Sequence, residues 1–137
     1  MITRREAREQ AFALIFEMAF QNLPIQDLID NAVDSRDLEV DEYAVKVAKA
    51  VQMNCAQIDS MISEHSKKWK IERLSKVALS ILRLAIAEIS FVKEVPEGAV
   101  INEAVELAKT FGGEDDPSYI NGVLGGFSRS ALSSQSE

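Results

Sequence analysis

The sequence is poor in the residues that staple, break or activate a protein. Its single cysteine, Cys55, excludes an internal disulfide. Three prolines and six glycines, every glycine lying beyond residue 97, leave long stretches with no helix breaker. One histidine, His65, joins that one cysteine, so four soft or borderline zinc ligands are not available. On one continuous helix the ten residues between Cys55 and His65 span roughly 15 Å, which excludes a Cys–His dyad there. Gly122, Gly125 and Gly126 follow no strand pattern, so a phosphate-binding loop is absent. No signal peptide or lipidation motif is seen. The most apolar stretch, Glu72 to Val92, is interrupted by Lys76, Arg83 and Glu88. Each would cost about 2.5–3.5 kcal/mol near a bilayer centre. The expectation is a soluble cytoplasmic protein with no membrane partner, no metal, no cofactor and no enzymatic activity.

What remains is a helical, globular composition. Apolar residues make up 47% and charged residues 27% of 137 residues, which suits one domain. Thr3 with Glu6 forms a capping box, and Ala7, Ala11, Leu14, Ile15 and Met18 recur at helical spacing, predicting a helix over residues 4–22. After Pro24, the positions Ile25, Leu28, Ile29, Ala32 and Val33 predict a second helix that fades into a loop from Asp34 to Glu39. Asp41 caps a third, carrying Tyr43, Ala44, Val47, Ala48 and Val51, with a break near Asn54 and an end near His65. The stretch from Glu72 to Val92 is apolar on nearly every side and predicts a central buried helix. A turn over Glu94 to Gly98 precedes a helix that ends at Phe111-Gly112-Gly113, where glycine is expected to take a left-handed cap. Asp116-Pro117 opens the last helix, with the aspartate as N-cap. No period-two pattern competes, so the fold class is all-α.

Charge is uneven. The net charge is −7, and a field of that sign repels nucleic acid. Yet between Ser63 and Arg83 six bases, Lys67, Lys68, Lys70, Arg73, Lys76 and Arg83, face two acids, whereas Glu17 to Glu42 holds eight acids and Arg36. A local basic surface is compatible with the acidic whole. Two clusters point to nucleic acid. Arg4, Arg5 and Arg8 occupy the opening turns of the first helix, where guanidinium groups oppose the macrodipole and fit phosphate. Phe111 and Tyr119 flank a glycine-rich loop, a layout suited to stacking unpaired bases. A solvated charged face and a core phenylalanine explain the same residues without RNA. The acids Glu114, Asp115 and Asp116 lack the spacing of a calcium loop and read as helix-capping residues.

Together these segments resemble the NusB family of transcription antitermination factors along almost the whole chain. The resemblance is carried by Arg4-Arg5-Glu6-Ala7-Arg8-Glu9-Gln10-Ala11 and by Val77 to Glu88 with Ile81-Leu82-Arg83-Leu84-Ala85. It is most specific in Val95-Pro96, Ile101-Asn102-Glu103-Ala104-Val105-Glu106-Leu107-Ala108-Lys109, Phe111-Gly112, Glu114-Asp115 and Asn121-Gly122-Val123-Leu124.

The resemblance implies a bundle of about seven helices in two subdomains, residues 1–70 and 71–137. It implies binding of boxA-type single-stranded RNA in ribosomal leader transcripts, with the ribosomal protein NusE as partner, within an RNA polymerase antitermination complex. With the two clusters above, the residues expected to bind RNA are Arg4, Arg5, Arg8, Phe16, Phe111, Asp115 and Tyr119. Arg5 and Arg8 match family arginines that lie against RNA. Phe16 falls where tyrosine is common and keeps the stacking face without the hydroxyl. Tyr119 falls at an aromatic position suited to stacking, with Asp115 in the loop beside it, and Asn102 and Glu103 are expected to organise that loop. A basic partner would supply the positive field that the acidic chain lacks. The alternative is a helical interaction module, or a homodimer, without RNA binding.

Overall fold

The structure, a computed structural model, describes residues 2–21, 23–36, 40–66 and 70–135, and the side chains of these except 32–36 and 130–135. Among the described residues seven α-helices follow one another: α1 (Arg4–Phe20), α2 (Ile25–Arg36), α3 (Glu42–Met53), α4 (Cys55–His65), α5 (Lys76–Ala87), α6 (Glu97–Phe111) and α7 (Asp116–Gln135). A 3-10 turn, Ile71–Arg73, precedes α5, and a π-helical turn, Glu88–Val92, follows it. No strand occurs among the described residues, as the missing period-two pattern predicts. No helix among them is long and apolar enough to cross a membrane.

Short polar side chains set the helix starts. The Thr3 hydroxyl accepts the Glu6 N–H at 3.1 Å, Asp41 accepts that of Tyr43 at 2.9 Å, and Ser75 accepts that of Ala78 at 3.0 Å. Each such cap contributes about 1 kcal/mol. Asn54 divides α3 from α4, its side-chain amide donating back to the Ala50 carbonyl at 2.9 Å.

α5 is the axis of the bundle and packs against α1, α3, α4, α6 and α7. Ile81, Leu82, Leu84, Ala85 and Ile86 on it are fully buried, each large aliphatic side chain contributing about 1.5–3 kcal/mol. It is shorter than the apolar run. Ser75 caps it at the start, and beyond Ala87 the backbone widens into the π turn, closed by the Lys93 N–H on the Glu88 carbonyl at 2.9 Å. Lys93 then leaves in a left-handed conformation, φ 57° and ψ 34°. Glu88, at the start of that turn, lies inside the protein, 1% exposed.

Three local expectations are corrected. Gly112 is extended, with φ −95°, not left-handed. Glycine is required for space: a Cβ there would lie 2.7 Å from an Asp116 carboxylate oxygen and 2.8 Å from the Ala108 carbonyl. Asp116 lies within α7, and its carboxylate accepts the Gly113 N–H at 2.9 Å, fastening the loop to the helix start. α2 stays helical through Arg36, where a loop from Asp34 was expected. Lys67 and Lys68 of the basic run lie outside the described residues.

Candidate nucleic-acid interface

Phe12, Phe16 and Phe20 repeat every fourth residue of α1 and therefore share one side of it. Phe111 arrives from the end of α6 and stacks on Phe12, ring centres 5.2 Å apart and planes 26° from parallel. Phe12 and Phe16 are 5.9 Å apart, and Phe16 meets Phe20 edge to face at 4.9 Å. The result is a ladder of four rings. Phe12 is buried and Phe16 half-buried, while the terminal rungs Phe111 and Phe20 are 47% and 62% exposed. Arg5 stands eleven residues before Phe16, about three helical turns, so it continues the same stripe. Its guanidinium makes a two-pronged pair with Glu103 of α6, at 2.9 and 3.0 Å. That pair holds the Glu103 carboxyl below its ordinary range and raises Arg5. Glu103, expected to organise the loop, therefore ties α1 to α6.

Arg8 is the main correction to the expected site. It is 4% exposed and points into the bundle, where its Nε donates to both Glu88 oxygens at 2.9 and 3.1 Å. The Tyr43 hydroxyl donates to the same carboxylate at 2.5 Å. The reason lies in helical spacing: Arg8 precedes Ala11, Phe12 and Ile15 by three, four and seven residues, and all of these are buried. Burial pushes the Glu88 carboxyl above its ordinary range, against the opposing pull of Tyr43 and Arg8. Burial, more than the bond to Glu88, also raises the Tyr43 phenol. The Arg8 Nη2 atom is buried without a hydrogen-bond partner.

Arg4 leaves the helix on another side. Its guanidinium lies 3.9 Å from the centre of the Tyr43 ring, a cation–π contact. It borders an open pocket of about 550 Å3 with Asp41, Glu42, Lys46 and Glu94, the last two forming an ion pair. The three arginines that look alike in sequence thus have three environments: Arg4 on an aromatic face, Arg5 exposed in an ion pair, Arg8 buried.

At the far end of the α6–α7 loop, Asp115 is exposed and its carbonyl accepts the Tyr119 N–H at 3.1 Å. Tyr119 is half-buried, its hydroxyl hydrogen-bonded to Ser66 at the end of α4. Arg83, counted among the bases of the positive stretch, is neutralised by Asp59 through two bonds of 2.8 and 2.9 Å. Lys70, Arg73 and Lys76 are exposed. Sequence reasoning passed over Phe12, Phe20, Tyr43 and Glu88. The four-residue spacing of Phe12, Phe16 and Phe20 was the available signal for the first two.

The sequence profile described as "NusB family" matches residues 5–129. The chain belongs to the NusB family. The transcription antitermination protein NusB of Acetivibrio thermocellus is 44% identical over 124 residues, 89% of this chain and 86% of that one. NusB of Clostridium acetobutylicum is 41% identical over 126 residues, 90% and 93% of the two chains. Among solved structures, a complex of antitermination factors NusB and NusE with double-stranded RNA superposes with TM-score 0.82 at 28% identity, covering 93% of this chain and 96% of that chain. The solution structure of Aquifex aeolicus NusB gives 0.83 at 30% identity, covering 100% and 95%. The helical order described above is therefore the NusB fold. Against that background the aromatic ladder and Arg5 form a surface with stacking faces and one accessible cation, while the buried Arg8–Glu88–Tyr43 cluster secures the helix that presents it.

Proposed function

We propose that this chain is a transcription antitermination factor that seats boxA-type single-stranded RNA along α1 and the start of the α6–α7 loop, with NusE as its partner in an RNA polymerase complex. The observation that carries this reading is the ring ladder Phe111–Phe12–Phe16–Phe20 with two exposed ends beside Arg5. Single strands are held by base–aromatic stacking, about 1–3 kcal/mol per base, with cations following the backbone. Phe111, Phe16 and Phe20 offer ring faces or edges, and Tyr119, pinned at its hydroxyl, offers another across the loop that carries Asp115. Arg5 is the phosphate-facing arginine, while Arg4 contributes from the neighbouring pocket and Arg8 acts by holding α1 in place.

With a net charge of −7 the chain is a poor phosphate binder by itself, so tight binding draws on a basic partner. The test is isothermal titration of a boxA oligonucleotide and a scrambled control, with and without NusE. The reading expects sequence preference and tighter binding with NusE. Equal affinity for boxA and the scrambled strand would leave only an interaction module.

A further inference from the structure

The ring ladder does not use the basic stretch between Ser63 and Arg83, and the fold gives that stretch a cationic neighbour from α7. His65, the last residue of α4, meets Phe127 of α7 edge to face, ring centres 5.9 Å apart. Arg129, two residues further along α7, is exposed and lies back along its own helix. A Cβ on Gly126 would lie 3.5 Å from His65 Nδ1 and 3.9 Å from Arg129 Nη2, and one on Gly125 would lie 3.4 Å from Arg129 Nη1. The two side chains therefore converge over bare helix backbone, their nitrogens within about 7.5 Å of each other. One phosphate bridges such a gap by accepting through two of its oxygens at about 2.8 Å each.

The charge here is available. Among the described residues Arg129 makes no ion pair, whereas Arg5, Arg8 and Arg83 each do. Lys70, Arg73 and Lys76, at and just after the 3-10 turn that packs against α4, are exposed and add positive charge against Glu64 and Glu72. Glu97 of α6 is held by the Ser128 hydroxyl. A basic protein is repelled by such a face, and a polyanion is drawn to it.

The same face leads to a ring. Ser66, next to His65, is hydrogen-bonded to the Tyr119 hydroxyl. Tyr119, Gly122 and Gly126 share one side of α7, being three and four residues apart in turn. Gly122 is exposed, and a Cβ there would meet nothing within 4 Å, so the way from the ring to the cations is open. Seven residues of helix rise about 10 Å, the length of about three stacked nucleotides.

We propose that Arg129 and His65 clamp one backbone phosphate of the RNA strand about three nucleotides from the base at Tyr119, carrying the bound strand off the α6–α7 loop and along α7. This rests on the single-stranded RNA reading above and adds to it a contact outside the ladder. The clamp holds the strand in register without reading sequence, since every phosphate is alike.

The experiment is a phosphate scan. A boxA RNA flanked by four nucleotides on each side is made with one neutral methylphosphonate linkage at a time, and binding is followed by fluorescence anisotropy with NusE present. In the unmodified protein, neutralising one linkage should weaken binding about threefold or more and lower the magnitude of the salt slope by about 0.7. In Arg129→Gln the same linkage should make no difference, and in His65→Gln a smaller one. Lys49→Gln, an exposed charge on α3, should leave the scan unchanged. If no linkage loses its effect in Arg129→Gln while boxA still binds in preference to a scrambled strand, the clamp is overturned and the RNA reading stands. If Arg129→Gln weakens association with NusE in the absence of RNA, the face is a protein contact and the proposal is likewise overturned. If neither boxA nor scrambled RNA binds, both readings fall.

Discussion

Replacing Arg8 by methionine separates a structural arginine from an RNA-contacting one. Methionine keeps most of the length and apolar stem, so the change removes charge and donors with little loss of volume. The carboxylate of Glu88, 1% exposed, then keeps the Tyr43 hydroxyl as its hydrogen-bond donor among the described residues. Removing one member of a buried pair costs about 3–5 kcal/mol, because the other is left as an uncompensated buried charge. Against a total stability of about 5–15 kcal/mol, the variant loses a large share of its reserve yet stays mostly folded at low temperature. Urea titration at pH 8 should show the loss as a lower midpoint with an unchanged slope.

A second arm makes the cause specific. Arg8→Met combined with Glu88→Leu and Tyr43→Phe removes the whole polar cluster, and apolar replacement of a buried pair is often neutral. This triple variant should regain most of the loss. In RNA binding measured below the unfolding transition, Arg8→Met should leave the salt slope unaltered. A phosphate-contacting arginine would lower its magnitude by about 0.7. The reasoning fails if Arg8→Met costs under about 1 kcal/mol, if the triple variant is no better than the single one, or if the slope drops as for a phosphate contact.

Other predictions follow from the same contacts. Arg5→Ala should leave stability nearly unchanged, since its pair with Glu103 is 62% exposed on the arginine side, yet it should reduce the RNA salt slope by about 0.7; urea and RNA titrations at several salt concentrations check both. Phe111→Ala should weaken RNA binding by about 1–3 kcal/mol if that ring stacks a base, and gel shifts with and without the substitution measure it. Gly112→Ala places a Cβ 2.8 Å from a backbone carbonyl and should lower stability by about 1–3 kcal/mol, read from thermal unfolding. Burial raises the Glu88 carboxyl, so the folded state keeps a proton that the unfolded chain releases from about pH 4.5 upward. Stability from this group is fullest below that value and declines as pH rises through the raised one. Relative to wild type, Glu88→Gln should therefore gain stability with rising pH, as urea midpoints across the range will show.

Most of the fold was legible because its signals are local. Thr3, Asp41 and Ser75 each sit before an apolar-periodic run, and each caps the helix that follows. Asn54 marked a break that the backbone makes. The π turn was not legible, because nothing in Glu88-Ile89-Ser90-Phe91-Val92 separates a π turn from a further turn of α-helix; the turn packs against α3 and α6, contacts that have no local signature. Gly112 was expected to be left-handed and is extended instead, because close approach and left-handed geometry leave the same residue in a sequence. At the site, residue type outweighed register. Arg8 looked like its neighbours Arg4 and Arg5, but its distances to Ala11, Phe12 and Ile15 already placed it on the inward stripe. Its partner, eighty residues away, has no local signature.

The electrostatics of this surface bear on how an acidic protein can hold RNA. Of the cations nearest the ring ladder, Arg5 is paired with Glu103 and Arg8 with Glu88, so few free positive charges face solvent there. A phosphate that takes Arg5 must displace Glu103, exchanging one charge-assisted pair for another at small net gain. Backbone neutralisation by this chain alone is therefore weak, while ring stacking depends little on salt. Discrimination among strands then rests with the rings, and affinity with whatever positive surface the partner brings. Raising salt should accordingly weaken the complex with NusE far more than it alters the ratio of boxA to scrambled binding. A specificity ratio that collapses in parallel with affinity would place sequence reading on the partner.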